Sequence, residues 1–357
     1  MGLFPRQLMG MLTDNPALVE IAAGYARIVG PSYLFNSLTG IYVGAHRSMG
    51  NPRLGLVVFT ISMCTNTALN WVLIFGNLGV PRLEVEGAAL ATLISRVVEF
   101  AAMAVYAGGN RRFRLRLSCL IRPGREIVRK FIHYSGPVVF NEGMWGLGTS
   151  LYKVIMGHME GSTEILAARA LAGNIEDICL VAIFAMAGTT GITVGREIGS
   201  GRDSGTVYQV GAAMDTLALF CGLGIGLVLL AATRLFLAPV VYPLFRLSEN
   251  AAGIATMMLT FTAAAMPLRA FNTTNTVGVL RGGGDVRAAM LIDILPLWCV
   301  ALPLAALFGL GLRWGIFWVY VGVFMEQAAK LGAGVRRFRS RGWIVDVTMA
   351  GRNEKRN

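Results

Sequence analysis

Charge is the scarce component of this sequence. Of 357 residues, 15% are Asp, Glu, Lys or Arg, where a soluble domain carries about a quarter. Histidine is scarcer still, with three isolated residues. The five cysteines (Cys64, Cys119, Cys179, Cys221, Cys299) are scattered, and no CxxC pair or Cys/His cluster occurs. That excludes a disulfide framework and a zinc site as organising principles. No HExxH, GxSxG or paired intramembrane aspartate motif is present, so nothing points to a membrane-embedded enzyme. Gly282-Gly-Gly284 is not followed by GKS or GKT, which leaves it as a tight turn rather than a phosphate loop. No cleavable secretory signal is recognisable at the start.

What the chain has instead is apolar length. Hydrophobic residues make up 55%, and the mean hydropathy is +0.59. A membrane span needs roughly 20 apolar residues. Nine segments qualify: 17–46, 54–76, 86–108, 130–157, 162–195, 206–233, 250–280, 288–309 and 313–335. The fold class expected is all-α, a polytopic membrane helix bundle. The net charge of +12 lies mostly on one side of it. Arg111, Arg112, Arg114, Arg116, Arg122, Arg125, Arg129 and Lys130 crowd one inter-helix loop, and Arg336, Arg337, Arg339 and Arg341 follow the last span. Arg47 with Arg53, Arg196 with Arg202, and Arg281 with Arg287 add shorter clusters. All follow odd-numbered spans, and this asymmetry places that face, and the C-terminus, in the cytoplasm. The basic charge therefore needs no nucleic acid to account for it.

An internal repeat organises the spans. Arg47-Ser-Met-Gly-Asn-Pro-Arg53 closes the first and Arg281-Gly-Gly-Gly-Asp-Val-Arg287 the seventh. Thr13-Asp14-Asn15-Pro16 and Ser248-Glu249-Asn250 introduce the same two spans as N-cap signals. Each span carries a midspan proline (Pro31, Pro267) followed by asparagine (Asn36; Asn272 and Asn275). Spans one to three thus match seven to nine in the same orientation, a parallel repeat about the membrane normal. The expected division is a partial lobe of three helices over 1–108, a basic cytoplasmic linker 109–129, a six-helix lobe 130–337 and a cytoplasmic tail 338–357. Two six-helix halves complete the repeat if three upstream helices are absent from this chain.

Several stretches resemble the multidrug and toxic compound extrusion (MATE) family. They are Ala23-Gly24-Tyr25-Ala26-Arg27-Ile28 with its continuation Arg47-Ser48-Met49-Gly50-Asn51-Pro52, then Asn66-Thr-Ala-Leu-Asn70-Trp71, and Val85-Glu86-Gly87-Ala-Ala-Leu-Ala-Thr92. Further on come Pro137 with Asn141-Glu142-Gly-Met-Trp145-Gly-Leu-Gly148, Gly195-Arg-Glu-Ile-Gly199-Ser-Gly201, and Leu280-Arg281-Gly-Gly-Gly-Asp285. They run in family order over nearly the whole chain. The resemblance implies twelve helices in two lobes facing a central cavity, with this chain beginning just before the fourth family helix. It implies a multi-pass protein of the plasma (inner) membrane that exports amphiphilic, often cationic small molecules in exchange for H⁺ or Na⁺, without a further cofactor. Family members often carry a functional aspartate in their first helix, which has no counterpart here. A lipid-linked-precursor flippase of the same superfamily and a fragment that does not transport alone are the alternative readings. A flippase needs a more cationic midspan to hold pyrophosphate, and only Arg27, Arg169 and Arg269 stand out there.

A charge at bilayer depth costs at least ~2.5–3.5 kcal/mol, so ionisable residues inside spans need an account. Glu142 follows Pro137 beside Asn141 and near Trp145. A proline frees a backbone carbonyl, so carbonyl, amide and carboxylate oxygens are expected to converge there on a hard cation. The alternative is that Glu142 sits near the membrane interface or forms a structural pair with a neighbouring basic residue such as Lys153. Glu176 and Asp177 are adjacent, about 100° apart on a helix, so at most one faces a cavity. Arg169, seven residues before Glu176, shares its face and is positioned to neutralise it; the resemblance favours Glu176 of the two. Asn272 and Asn275 share a face and either complete a binding shell or bond neighbouring helices. Asp293, Asp215, Glu99, Glu326 and Lys330 also fall within spans. Glu99 and Glu326, near matched helix ends, are expected to pair with nearby arginines.

Overall fold

The computed structural model describes residues 5–10, 16–110 and 124–346. Asp14, Asn15, Cys119, the arginines at 111, 112, 114, 116 and 122, and the tail 347–357 lie outside the described residues. The chain forms two compact units, Met1–Pro123 and Gly124–Asn357.

The first unit contains α1 (Pro5–Gly10), α2 (Pro16–Val29), α3 (Ser32–Ser48), α4 (Arg53–Leu73) and α5 (Glu84–Gly109). The segment expected as one span over 17–46 is therefore two helices. Pro31 has no N–H to continue the helical ladder, and the Ser32 hydroxyl donates to the Val29 carbonyl at 2.6 Å, closing the end of α2. Tyr42, Val43, Leu54, Val58 and Met103 form the core of this unit. Asn70 donates to Asn66 at 3.0 Å and Asn66 to Ser95 at 3.4 Å, joining α4 to α5 through side-chain amides. Glu99 is fully buried and accepts from Arg96 at 2.5 Å, the pairing expected from sequence.

The second unit contains α6 (Arg125–Gly157), α7 (Ser162–Gly199), α8 (Ser204–Leu244), α9 (Glu249–Leu280), α10 (Val286–Gly311) and α11 (Ile316–Arg339). Among the described residues six helices are long and apolar enough to cross a membrane: α4, α5, α7, α8, α9 and α10. Nine spans were expected. The first is divided at Pro31, while α6 and α11 have the length but carry too many polar residues, among them Asn141, Glu142, Glu326, Gln327 and Lys330. Large apolar side chains such as Leu56, Val105, Ile178, Val181, Val228 and Leu235 point outward, a surface suited to lipid rather than water.

Local sequence sets the helix ends. Ser248 and Asp203 cap α9 and α8 by accepting from the backbone N–H of Ala251 (3.3 Å) and Thr206 (2.9 Å). The hydrogen bonds from Thr206 hold the Asp203 carboxyl below the usual carboxylate range, so its cap persists through that range and is lost only as pH falls through the lowered folded-state pKa. The two repeated turns close identically. Gly50 (φ +83°) donates to Arg47 O and Asn51 to His46 O; Gly284 (φ +95°) donates to Arg281 O and Asp285 to Leu280 O. This is the Schellman arrangement, whose left-handed position explains the glycine shared by both motifs. Pro137 and Pro267, unlike Pro31, lie inside unbroken helices, and α9 widens into a π-turn over Thr274–Leu280.

Small residues bring the helices of the second unit together. Gly222 and Gly226, a GxxxG pair on α8, lie against Ala263, Met266, Pro267 and Ala270 of α9. Further along α9, Gly278 and Gly282 meet Ala187, Thr190 and Gly191 of α7. After α11 the chain turns back. Trp343 is fully buried, donates its indole N–H to Phe338 O at 2.9 Å and covers Gly283. Arg337 meets Asp285 at 2.6 Å, so the end of α11 is tied to the α9–α10 turn.

A Cβ at Gly226 would lie 2.4 Å from the Ala263 carbonyl oxygen, whereas Gly224 has open space. Gly226→Ala is expected to lower stability by about 1–3 kcal/mol, and Gly224→Ala to leave it unchanged or raise it slightly, read by thermal unfolding of the lipid-reconstituted chain.

Candidate functional site

Helices α6, α9, α10 and α11 bring ionisable side chains together inside the second unit. Arg281, at the end of α9, holds two carboxylates: Glu142 of α6 at 3.1 Å and Asp293 of α10 at 3.5 Å. Asp293 also accepts from Asn141 at 3.4 Å and faces the Lys330 ammonium at 3.5 Å. Lys330 reaches Glu326, one turn earlier on α11, at 2.9 Å. Glu326 accepts in turn from the Tyr152 hydroxyl at 3.4 Å. A second group centres on Glu176 of α7, which is buried and held by both Arg169, at 2.7 Å, and Arg269 of α9. Arg169 also donates to the Tyr320 hydroxyl at 3.4 Å. Four basic groups (Arg169, Arg269, Arg281, Lys330) thus meet four carboxylates (Glu142, Glu176, Asp293, Glu326). In a low-dielectric interior such matching is required, because an unpartnered ion carries a penalty of several kcal/mol.

The sequence candidates divide on this geometry. Glu176 lies between its two arginines, with Arg169 the partner expected. Asn141 is buried at the junction. Glu142 departs from expectation: its side chain is 59% exposed and its partner is Arg281, not Lys153. Oxygen and nitrogen groups converge on Asp293 instead. The reason is helical phase, since Asn141 and Glu142 are adjacent and only one can face inward. For the same reason Asp177 is exposed while Glu176 is buried. Trp145 is 42% exposed. Asn272 and Asn275 do not form one shell: Asn272 donates to the Gln327 side chain and backbone at 3.1 and 2.9 Å, and Asn275 donates to Asp215 at 2.7 Å. Glu326 pairs with a lysine rather than an arginine. Asp293, Lys330, Arg281, Tyr152, Glu326, Arg269 and Tyr320 are members that sequence reasoning did not place in the site. The i, i+4 spacing of Glu326 and Lys330 is the signal that was available.

Among the described residues no group of three or more His, Cys, Asp or Glu can hold a metal ion. A groove of about 490 Å³ lies elsewhere, at the starts of α7 and α9, lined by Glu160, Glu164 and Glu249. Glu164 in its lining precedes Glu176 by about three turns of α7.

Known proteins share this architecture. The MatE family model matches residues 1–72 and 138–307. The chain is 26% identical to the uncharacterized transporter YisQ of Bacillus subtilis, over 94% of this chain and 72% of that protein. It is 27% identical to a probable multidrug resistance protein NorM of Rhodopseudomonas palustris, over 94% and 70%. Among solved structures, a MOP superfamily transporter from Pyrococcus furiosus, described as having a binding pocket of reverse polarity, superposes with a TM-score of 0.81 at 20% identity, covering 94% of this chain and 74% of that one. The Vibrio cholerae MATE transporter VcmN in its bent form gives 0.76 at 20% identity, covering 96% and 76%.

Glu176→Gln leaves two guanidiniums facing an amide in place of a carboxylate. The loss expected is about 3–5 kcal/mol, against within ±0.5 kcal/mol for Asp177→Asn next to it, compared by unfolding in lipid nanodiscs.

Proposed function

Because the chain belongs to the MatE family of membrane transporters, we propose that it exports amphiphilic or cationic small molecules in exchange for H⁺ or Na⁺, by alternating access. The observation that carries this reading is the charge network of the second unit, whose Glu176, Arg269 and Asp293 lie on helices long and apolar enough to cross a membrane. Charges at that depth are costly and are retained where they move ions or substrates. Arg281 is the pivot, because it is shared by an exposed carboxylate, Glu142, and a mostly buried one, Asp293. A proton or cation arriving at Glu142 competes with the guanidinium, and Arg281 then belongs to Asp293 alone. The switch alters the tie between α6 and the α9–α10 corner, which is the kind of differential contact a change of state requires.

The plasma (inner) membrane is the setting in this reading, with the C-terminus cytoplasmic, as the Arg336–Arg341 cluster at the end of α11 supports. The chain acts as a transporter rather than an enzyme, and its partners are the small-molecule substrate, the coupling cation and the bilayer. A lipid-linked-precursor flippase is not favoured: a pyrophosphate site calls for surplus positive charge, and here each basic group of the network meets a carboxylate.

Efflux of a fluorescent lipophilic cation from vesicles containing the full chain, under an imposed pH or Na⁺ gradient, tests the proposal. Gradient-dependent efflux is expected, falling at least about tenfold (~1.4 kcal/mol) in Glu142→Gln. A correctly inserted chain that moves no cation under either gradient contradicts it.

A further inference from the structure

Among the described residues one buried carboxylate has no basic partner. Asp215, on α8, is 2% exposed, and the described buried carboxylates Glu99, Glu176 and Glu326 each have a basic partner within 4 Å. Asp215 has none. Its one hydrogen bond comes from the Asn275 side-chain amide, which donates to Oδ2 at 2.7 Å. Asp215 Oδ1 and Asn275 Oδ1 are both buried without a partner, as are the hydroxyls of Thr190 and Thr274. We propose that Asp215, set against Asn275, is a proton-binding site of this chain, separate from the paired network.

Three features support it. An ionised carboxylate buried with one neutral donor bears most of the cost of an isolated charge; taking a proton from hydronium removes that cost, one O–H bond forming on the carboxylate as one breaks in hydronium and leaves water. Asn275 suits both states. With its amide nitrogen toward Asp215 it donates to the carboxylate; turned over, its oxygen accepts from the protonated acid, and 2.7 Å fits either bond. Finally, Asn275 belongs to the π-turn Thr274–Leu280, a widening of the helix that is common at functional sites. Gly334 leaves room at the amide, since a Cβ there would stand 3.1 Å from Asn275 Oδ1.

The charged groups on the elements packed around this pair are otherwise engaged or distant. Glu176 and Arg169 of α7, Arg269 of α9, Asp293 of α10, and Glu326 and Lys330 of α11 pair with one another. Arg196 of α7 makes no ion pair or hydrogen bond with Asp215. One side is closed by hydrocarbon and ring: a Cβ at Gly211, one turn earlier on α8, would meet Phe338, Trp343 and Val279. Calling this proton the coupling ion rests on the antiport reading; its presence does not.

Infrared difference spectroscopy of the full chain in lipid, titrated from neutral to alkaline pH, reads the site directly. The carbonyl stretch of a protonated carboxylic acid is expected at neutral pH, disappearing on titration. It should be absent from Asp215→Asn, which keeps the shape and a hydrogen-bonding partner for Asn275. It should be shifted in Asn275→Leu and unchanged in Glu142→Gln. The same band in Asp215→Asn as in the parent overturns the proposal, as does its loss on adding Na⁺ at fixed pH, which would mark a metal-cation site. If efflux is pH-driven while the band is missing, this site falls and the antiport reading stands. If the band behaves as expected in a chain that transports nothing, the site stands and that reading falls.

Discussion

The pairing of charge in a place without water governs the second unit. Away from solvent, neither a guanidinium nor a carboxylate is tolerable alone. The helices are accordingly arranged so that Arg281 and Lys330 share Asp293, Lys330 also holds Glu326, and two arginines enclose Glu176. These ties join four helices, and they specify relative position more narrowly than apolar contact does. Leu against Leu is nearly as favourable one turn away, whereas a misplaced Lys330 would strand Glu326 and leave Asp293 to Arg281 alone.

Close approach makes the ties possible. Hydrocarbon gives helices little reason to associate in lipid, so the attraction comes from dispersion and hydrogen bonds at short range. Gly222 and Gly226 of α8 against α9, and Gly278 and Gly282 further along α9, let backbones touch. With α9 so placed, Arg269 reaches Glu176 and Asn275 reaches Asp215. The strap through Trp343 fixes the same helix end from the other side. Apolar packing thus sets distances, and the polar pairs set register.

How much of this the sequence displays depends on the range of the interaction. The long helices follow from hydropathy, and the turns at Gly50 and Gly284 follow from a shared motif, because both are decided within a few residues. The Ser248 cap is local too. The break at Pro31 is not legible in the same way: Pro137 and Pro267 are chemically the same residue, yet their helices continue. The partner of Glu142 lies 139 residues away and that of Asn141 lies 152 away. No spacing rule reaches so far, and so Asp293 and Lys330, visible as charges within spans, were not recognisable as the meeting point. Adjacent residues also exchange roles with small changes of helical phase, which is why Asn141 rather than Glu142 faces inward.

A double-mutant cycle on Lys330 and Glu326 tests the pairing principle most directly. Lys330→Met alone strands Glu326, while Lys330→Met with Glu326→Gln leaves Asp293 to Arg281 and no carboxylate unmatched. Unfolding in nanodiscs should find the double variant more stable than Lys330→Met alone, with a coupling of about 0.5–3 kcal/mol. Two losses that simply add, within about 0.5 kcal/mol, would contradict the view that charge matching holds this bundle in register.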